Sequence, residues 1–413
     1  MLGGDPLFNN SLYDSNGVNF AVLGIVALKV VVCFVFLLVA TMLMVWFERK
    51  LIGDMQNRIG PNRAGPWGIL QTLADGIKLF FKEHLVPEKA EPTVYVLAPF
   101  LAFVPAFLLF AIVPVTGNFA DGGDGTVTMF GYQTFVQLAD PPIGVLFALG
   151  LSSIAVYGVM LAGWSSGSKY PLLGSVRATA QMVSYEAAMG LAAVAVVLVT
   201  GTLSTHGMVM VQAGPGPFGW VPNWGVVLTA VVPFLIFMIA GAAELNRPPF
   251  DLVEAEQELV GGFNTEYSSI RFALFYLAEF MNTITMSAIF VTLFLGGPAG
   301  PAPWGPAWVW GIAWFFAKLF VFLFIFIWCR ATLPRFRYDQ LMHLGWRLLI
   351  PLALGWALLL AAMHVSNDQG WPPGLTMPVA LLVLIAAAGL LRSALARSRE
   401  GRLADADLEG ATP

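Results

Sequence analysis

Charge is what this sequence most lacks. Of its 413 residues only 11% are Asp, Glu, Lys or Arg, while 58% are hydrophobic. A soluble domain carries about 25% charged residues, because its surface has to meet water. The shortage excludes a water-facing globule of this size and leaves lipid as the medium for most of the surface. A net charge of −4 without any basic patch excludes nucleic acid as a partner. Cysteine is nearly absent as well: Cys33 and Cys329 each lie in an apolar run without CxxC spacing. An iron–sulfur cluster held by this chain, or a disulfide framework, is thereby excluded. The histidines His84, His206, His343 and His364 are scattered, with neither HExxH nor axial spacing, so no haem or metal of the chain's own is expected. The first twenty residues lack a basic n-region, and the apolar run after them reads as a retained helix.

What is present is hydrophobic length. A helix needs roughly 20 residues to cross hydrocarbon. Segments of that kind fall at 21–47, 92–115, 142–164, 183–203, 225–243, 270–295, 307–329, 344–364 and 376–392. The expected fold is all-α: a polytopic membrane protein of about nine transmembrane helices, with an amphipathic helix on the cytoplasmic side. Every Lys and Arg except Lys29 and Lys318 falls in one alternate set of loops or in the C-terminal tail. So one-sided a distribution predicts an outer N-terminus and a cytoplasmic C-terminus. The chain then divides into an outer N-terminal segment 1–20, a transmembrane domain 21–392 and a cytoplasmic tail 393–413. No internal repeat is visible, which weighs against an inverted-repeat transporter.

The cytoplasmic loops carry the chemistry. Residues 48–66 read ERKLIGDMQNRIGPNRAGP, a turn-rich stretch with Arg58 and Arg63 set among Gly and Pro. Residues 67–83 read WGILQTLADGIKLFFKE; Leu70, Leu73, Ile77 and Phe80 take one side of a helix, Gln71, Asp75, Lys78 and Lys82 the other. That pattern predicts a helix lying in the interface, either a plain surface helix or one that lines a ligand site. Residues 244–267, ELNRPPFDLVEAEQELVGGFNTEY, bring Glu244, Asp251, Glu254, Glu256, Glu258 and Glu266 against a single Arg247. Carboxylates crowded or buried together shift toward proton affinities useful near neutral pH, although a solvated acidic loop would carry the same residues. Glu186, Glu279 and Lys318 fall in or beside predicted spans. Each must face protein, water or an opposite charge, whether for folding or for a proton path. Arg330, Arg335 and Arg337 sit beside Tyr338 and Asp339 in a loop suited to lipid phosphate or to an acidic protein surface.

ERKLIGDMQNRIGPNRAGP, SYE, AELNRPPFDLVEAEQELVGGFNTEYS and RATLPRFRYDQLM together resemble the H-subunit family of bacterial NADH-quinone oxidoreductases, the quinone-site membrane subunit of respiratory complex I. The likeness covers roughly residues 40–350 and departs from the family's usual eight helices by a ninth. It implies a bacterial inner-membrane subunit without a redox centre or catalytic residue of its own. Quinone would be the substrate, with FMN and iron–sulfur clusters held by partner subunits. Those partners would be the peripheral-arm subunits of the quinone site and the adjacent small and antiporter-like membrane subunits, besides lipid. By motif, Arg58, Asp75, Glu244, Arg247 and Asp251 fall to the quinone chamber. Glu186, Glu254, Glu256, Glu279 and Lys318 fall to proton coupling, and Arg63, Arg330, Arg335 and Arg337 to docking of partners.

Two rival readings differ in kind. A related membrane subunit of an ion-translocating hydrogenase would keep only traces of the GPNRAGP and ELVGGFNTEYS motifs, which are intact here. A stand-alone ion or solute transporter would work alone and would not need such polar docking loops.

Overall fold

The computed structural model describes Asp5, residues 19–120, 123–214, 216, 223–252 and 259–371, and isolated positions between 378 and 389. Among the described residues the regular elements are helices except for one short hairpin, β1 (Val127–Met129) against β2 (Tyr132–Thr134), in which Val127 pairs with Thr134. The long helices are α1 (Phe20–Met55), α3 (Pro92–Phe110), α4 (Gly144–Ser165), α5 (Lys169–Thr200), α9 (Ser269–Phe294), α10 (Ala307–Thr332) and α11 (Tyr338–Asp368). Among the described residues these seven are long and apolar enough to cross a membrane. The chain is therefore an all-α polytopic membrane protein. Shorter helices complete it: α2 (Gln71–Phe81), α6 (Thr205–Ala213), α7 (Gly225–Leu228) and α8 (Val232–Glu244). The expected segment 376–392 falls largely outside the described residues, as do most of segment 1–20 and all of the tail 393–413.

The fifth expected span, 225–243, is not one helix. Pro233 has no N–H, and its ring would clash with the carbonyl of Thr229 in a continuous helix. The chain breaks instead between α7 and α8, with Ala230 and Val231 at φ of 58° and 67°. The freed Thr229 carbonyl accepts the indole N–H of Trp356 at 3.0 Å. At 13 residues α8 is about 20 Å long, too short to cross alone. Pro99 does similar work inside α3. The Tyr95 carbonyl that it releases accepts the Tyr267 hydroxyl at 3.2 Å, while the two phenol rings stack 4.2 Å apart. The segment after α8 is thereby fastened to α3.

α1 and α5 run longer than expected, with 36 and 32 residues. Each exceeds a hydrocarbon core of about 30 Å, so their polar ends stand clear of it. α9 is the most enclosed of the long helices. It buries Phe280, Phe290 and Phe294, and Phe290 stacks on Phe322 of α10 at 5.4 Å. α3 and α4 approach closely at Gly158, where a Cβ would lie 2.6 Å from the Ala102 nitrogen. Small residues let membrane helices meet backbone to backbone, where apolar packing gains little over lipid. The bundle thus has two ends: a charged end, where α1 and α10 finish, and a hairpin end, where they begin.

Candidate functional site

At the charged end, α1 carries Glu48 into the bundle, where it is only 6% exposed. Arg247, three residues past α8, donates from Nη1 to Glu48 Oε2 at 2.7 Å. Arg330, near the end of α10, pairs with the other Glu48 oxygen. The opposite edge of the Arg247 guanidinium meets Glu279 of α9, with Nε 3.1 Å from Oε1 but off the N–H line. The Phe280 ring lies beneath it at 4.2 Å. Two acids and two bases from four segments so form one largely buried network. Such a pairing is what lets charge persist where an isolated ion costs several kcal/mol, about 2.5–3.5 on insertion scales.

Beside this network is a cavity of about 80 Å³. Its lining includes the polar side chains of Glu244, Asn246, Asn264, Glu279 and Asn282 and the apolar ones of Ala102, Met182 and Phe275. Glu244 is buried, takes a hydrogen bond from Ser152 of α4, and has an Oε2 with no hydrogen-bond partner among the described residues. Glu186 of α5 accepts from the next serine, Ser153. The loop after α8 is held in place by Gln181, wholly buried in α5. Its amide donates to the carbonyls of Ala243 and Phe250 at 2.8 and 2.9 Å.

The amphipathic helix forms as expected, but α2 turns Gln71 and Asp75 of its polar stripe toward the protein and leaves Lys78 and Lys82 exposed. Asp75 accepts from Arg49 of α1 at 2.7 Å and from Gln71 at 3.2 Å, whereas Leu73, Ile77, Phe80 and Phe81 stay uncovered. Burial works against the Asp75 carboxylate, yet Arg49, Gln71 and Lys78 together hold it below the usual carboxylate range. The loop before α2 is tight. Gly68 sits at φ 77° with its α-carbon against Pro61, so that a Cβ would lie 2.4 Å from the Pro61 carbonyl carbon.

The structure brings Glu244 and Glu279 to one cavity, ties Arg247 and Arg330 to it through the Glu279 and Glu48 ion pairs, and sets Glu186 against Ser153 of α4. Asp251, nearly buried, pairs with Arg335 at 3.2 Å. Arg58 and Arg63 are exposed, Arg58 donating to Gln56 at 2.7 Å, and Arg337 is exposed beside Asp339. Lys318 stands apart. Its ammonium donates to the carbonyls of Leu295, Gly297 and Ala299 at 2.7 to 2.9 Å, closing the hairpin end of α9. Along α10 it is about 18 Å from Arg330. Glu254 and Glu256 lie outside the described residues.

Sequence reasoning passed over Glu48, Gln181 and the serines of α4. Glu48 carried a signal, being an acid followed at once by two bases at the end of an apolar run; the serines and Gln181 carried none, since such residues are ordinary in membrane helices.

A second polar group occupies the hairpin end. Lys29 is buried and pairs with Asp5 at 3.1 Å, and Asp5 also accepts from Thr134 of β2. His206 stacks on Phe135 at 4.0 Å, its Nε2 3.1 Å from the Asp124 carbonyl. Burial pushes its imidazolium below the ordinary histidine range, although Asp140, Asp124 and Asp5 oppose this.

Comparison with known proteins agrees with this architecture. The family described as NADH dehydrogenase matches residues 28–361. The NADH-quinone oxidoreductase H subunit of Frankia casuarinae is 50% identical over 372 residues, 88% of this chain and 79% of that protein. The H subunits of Streptomyces avermitilis and Frankia alni are each 47% identical, over 84% and 88% of this chain and 75% and 79% of theirs. On the length and level of these matches, the chain belongs to the NADH dehydrogenase family and groups with its NADH-quinone oxidoreductase H subunits.

Proposed function

We propose that this chain forms the membrane part of the quinone chamber of a proton-pumping NADH:quinone oxidoreductase and couples quinone reduction to proton translocation. The observation that carries the reading is Arg247. It is held between Glu48 and Glu279, and Glu279 lines a cavity that Glu244 shares. Reducing a quinone takes up two electrons and two protons, so charge appears near any group that binds the head. Coupled acids and bases respond to such a charge as a set.

In this reading quinone is admitted from the bilayer, and partner subunits that hold FMN and iron–sulfur clusters supply its electrons. Arg58, Asp75, Glu244, Arg247 and Asp251 serve the chamber. Glu186 and Glu279, with Glu254 and Glu256 of the acidic loop, pass on the change of protonation. Lys318 enters that set by motif alone; its three carbonyl partners favour a capping role. Arg63, Arg330, Arg335 and Arg337 face the peripheral-arm subunits, and the exposed apolar helix faces meet lipid and the small and antiporter-like membrane subunits. The one-sided basic loops support a bacterial inner-membrane orientation with the N-terminus outside and the charged end cytoplasmic.

The test is Glu279→Gln in native membranes. The expected result is assembled complex that keeps NADH oxidation with an artificial acceptor but loses most proton-coupled quinone reduction. Wild-type turnover and proton yield in that complex would remove the coupling role. Gentle solubilisation separates the rival class: a transporter purifies as a lone polypeptide, whereas this reading requires a flavoprotein among many co-purifying subunits.

A further inference from the structure

Two adjacent residues of α4 each serve a different acid. Ser152 donates to Glu244 Oε1 on α8, and Ser153 donates to Glu186 Oε1 on α5. Neighbouring side chains on a helix point about 100° apart. Adjacent faces of α4 therefore meet the two carboxylates, one from α8 and one from α5.

The surroundings of the two serines differ. Ser152 stands between two spaces. On one side is Glu244 with the polar cavity; on the other is a separate void of about 30 Å³, walled by residues such as Leu109, Ala148, Met189, Phe237 and Leu293. The hydroxyls in that wall are already committed: Ser152 to Glu244, Thr205 to the Ile112 carbonyl, Thr292 to the Ala288 carbonyl. A water needs two to four polar partners, and an apolar hole without them stays dry. No water from that side can replace Ser152 at Glu244. Among the described residues Ser152 is the one hydrogen-bond donor to this buried acid, whose second oxygen has no partner.

Ser153 has one proton and two acceptors, Glu186 and the Leu149 carbonyl at 3.1 Å. While Glu186 is ionised, the serine proton points to it. Once Glu186 is protonated, its own O–H donates to Ser153 Oγ and the serine proton turns to Leu149. Both arrangements are complete, and a rotation about the Cβ–Oγ bond connects them.

We propose that Ser152 and Ser153 are positioning residues for proton coupling: each hydroxyl orients one carboxylate and stabilises its ionised form, so that together they set the proton affinities of Glu244 and Glu186. The inference rests on the coupling role proposed above for these acids. Glu279 from α9 lines the same cavity as Glu244 and pairs with Arg247, while Glu186 from α5 meets the serine next to Ser152. The only titratable side chains of α3 and α4 are the phenols of Tyr95 and Tyr157.

The experiment compares Ser152→Ala, Ser153→Ala, Ser153→Thr and Glu186→Gln in membranes, per assembled complex as counted by bound FMN. It reads quinone reductase against pH and protons moved per electron. Removing a donor to an ionised carboxylate raises its proton affinity. Each alanine variant is therefore expected to move the limb governed by that acid to higher pH by about one unit, a tenfold change in proton affinity. Ser153→Thr, which keeps the hydroxyl, restores the wild-type profile. A serine that merely packs would lower the amount of complex without moving the profile, and that outcome overturns the proposal. Alanine variants with wild-type profiles overturn it as well. If these are silent while Glu186→Gln is defective, only the serine proposal falls; if Glu186→Gln retains full turnover and proton yield, the coupling reading falls with it.

Discussion

Arg247 and Glu48 stand 199 positions apart in the sequence and 2.7 Å apart in the folded chain, both almost sealed from solvent. Their contact ties the end of α1 to the segment leaving α8, and through Glu279 to α9. Nothing in the local sequence of either residue names the other. The pair also settles where charge is tolerated in an otherwise apolar bundle, because each ion is countered within hydrogen-bonding distance.

Arg247→Met removes one centre of that network and leaves two carboxylates facing each other's field. Breaking a buried pair on one side costs about 3–5 kcal/mol. The expected outcome is a severe loss of assembled complex on native gels. The double variant with Glu48→Gln should recover part of it, since it leaves one acid and one base in the network where the single variant leaves two acids and one base. A double variant whose loss equals the sum of the losses in the two single variants would show the two residues to be energetically independent.

Asp75→Asn loosens α2 from Arg49. The contact is partly exposed, so about 1 kcal/mol is its worth after screening. Quinone reductase should fall roughly fivefold while reduction of an artificial acceptor is unchanged. Equal loss in both assays would argue against a chamber role. Because the folded carboxylate is held below its unfolded value, the stabilisation is complete above the ordinary carboxylate range and is lost as pH falls through the lowered value. The tether therefore persists throughout the neutral range.

Lys318→Met strips the cap from three carbonyls at the hairpin end of α9. Unsatisfied buried acceptors cost about 1–3 kcal/mol each. A lower thermal-inactivation temperature is expected, with protons per electron unchanged in the complex that survives. A reduced proton yield from intact complex would instead put Lys318 on the proton path.

His206 gives the hairpin end an acid limit. Its folded value lies below the unfolded value of about 6.5, so the folded state binds fewer protons. Stability from this group is full above that pH and declines as pH falls below it. Thermal melts of detergent-solubilised complex between pH 7.5 and 5.5, chosen at about one unit either side of 6.5, should show the decline, and His206→Gln should flatten it. Identical slopes for the two proteins would remove His206 as the cause.

Much of this architecture was written in local sequence. Hydrophobic transfer free energy adds along a contiguous run, so spans, their polar flanks and the stripe of α2 could be read residue by residue. The break in the fifth span was partly legible, since Pro233 forbids a continuous helix; the acceptance of Trp356 by Thr229, 127 positions away, was not. The hairpin of Val127–Thr134 was missed because three-residue strands leave almost no periodic signal.

Composition and hydropathy alone determined that the chain is an all-α membrane protein, and its polar motifs determined the family. Which acid meets which base was decided only by the fold: Glu48 with Arg247 and Arg330, Glu244 with Ser152, Lys318 with a helix end. The physical reason is range. Burial is a property that each residue carries with it, whereas a charge pair depends on distance and geometry between segments that meet only after the helices have packed.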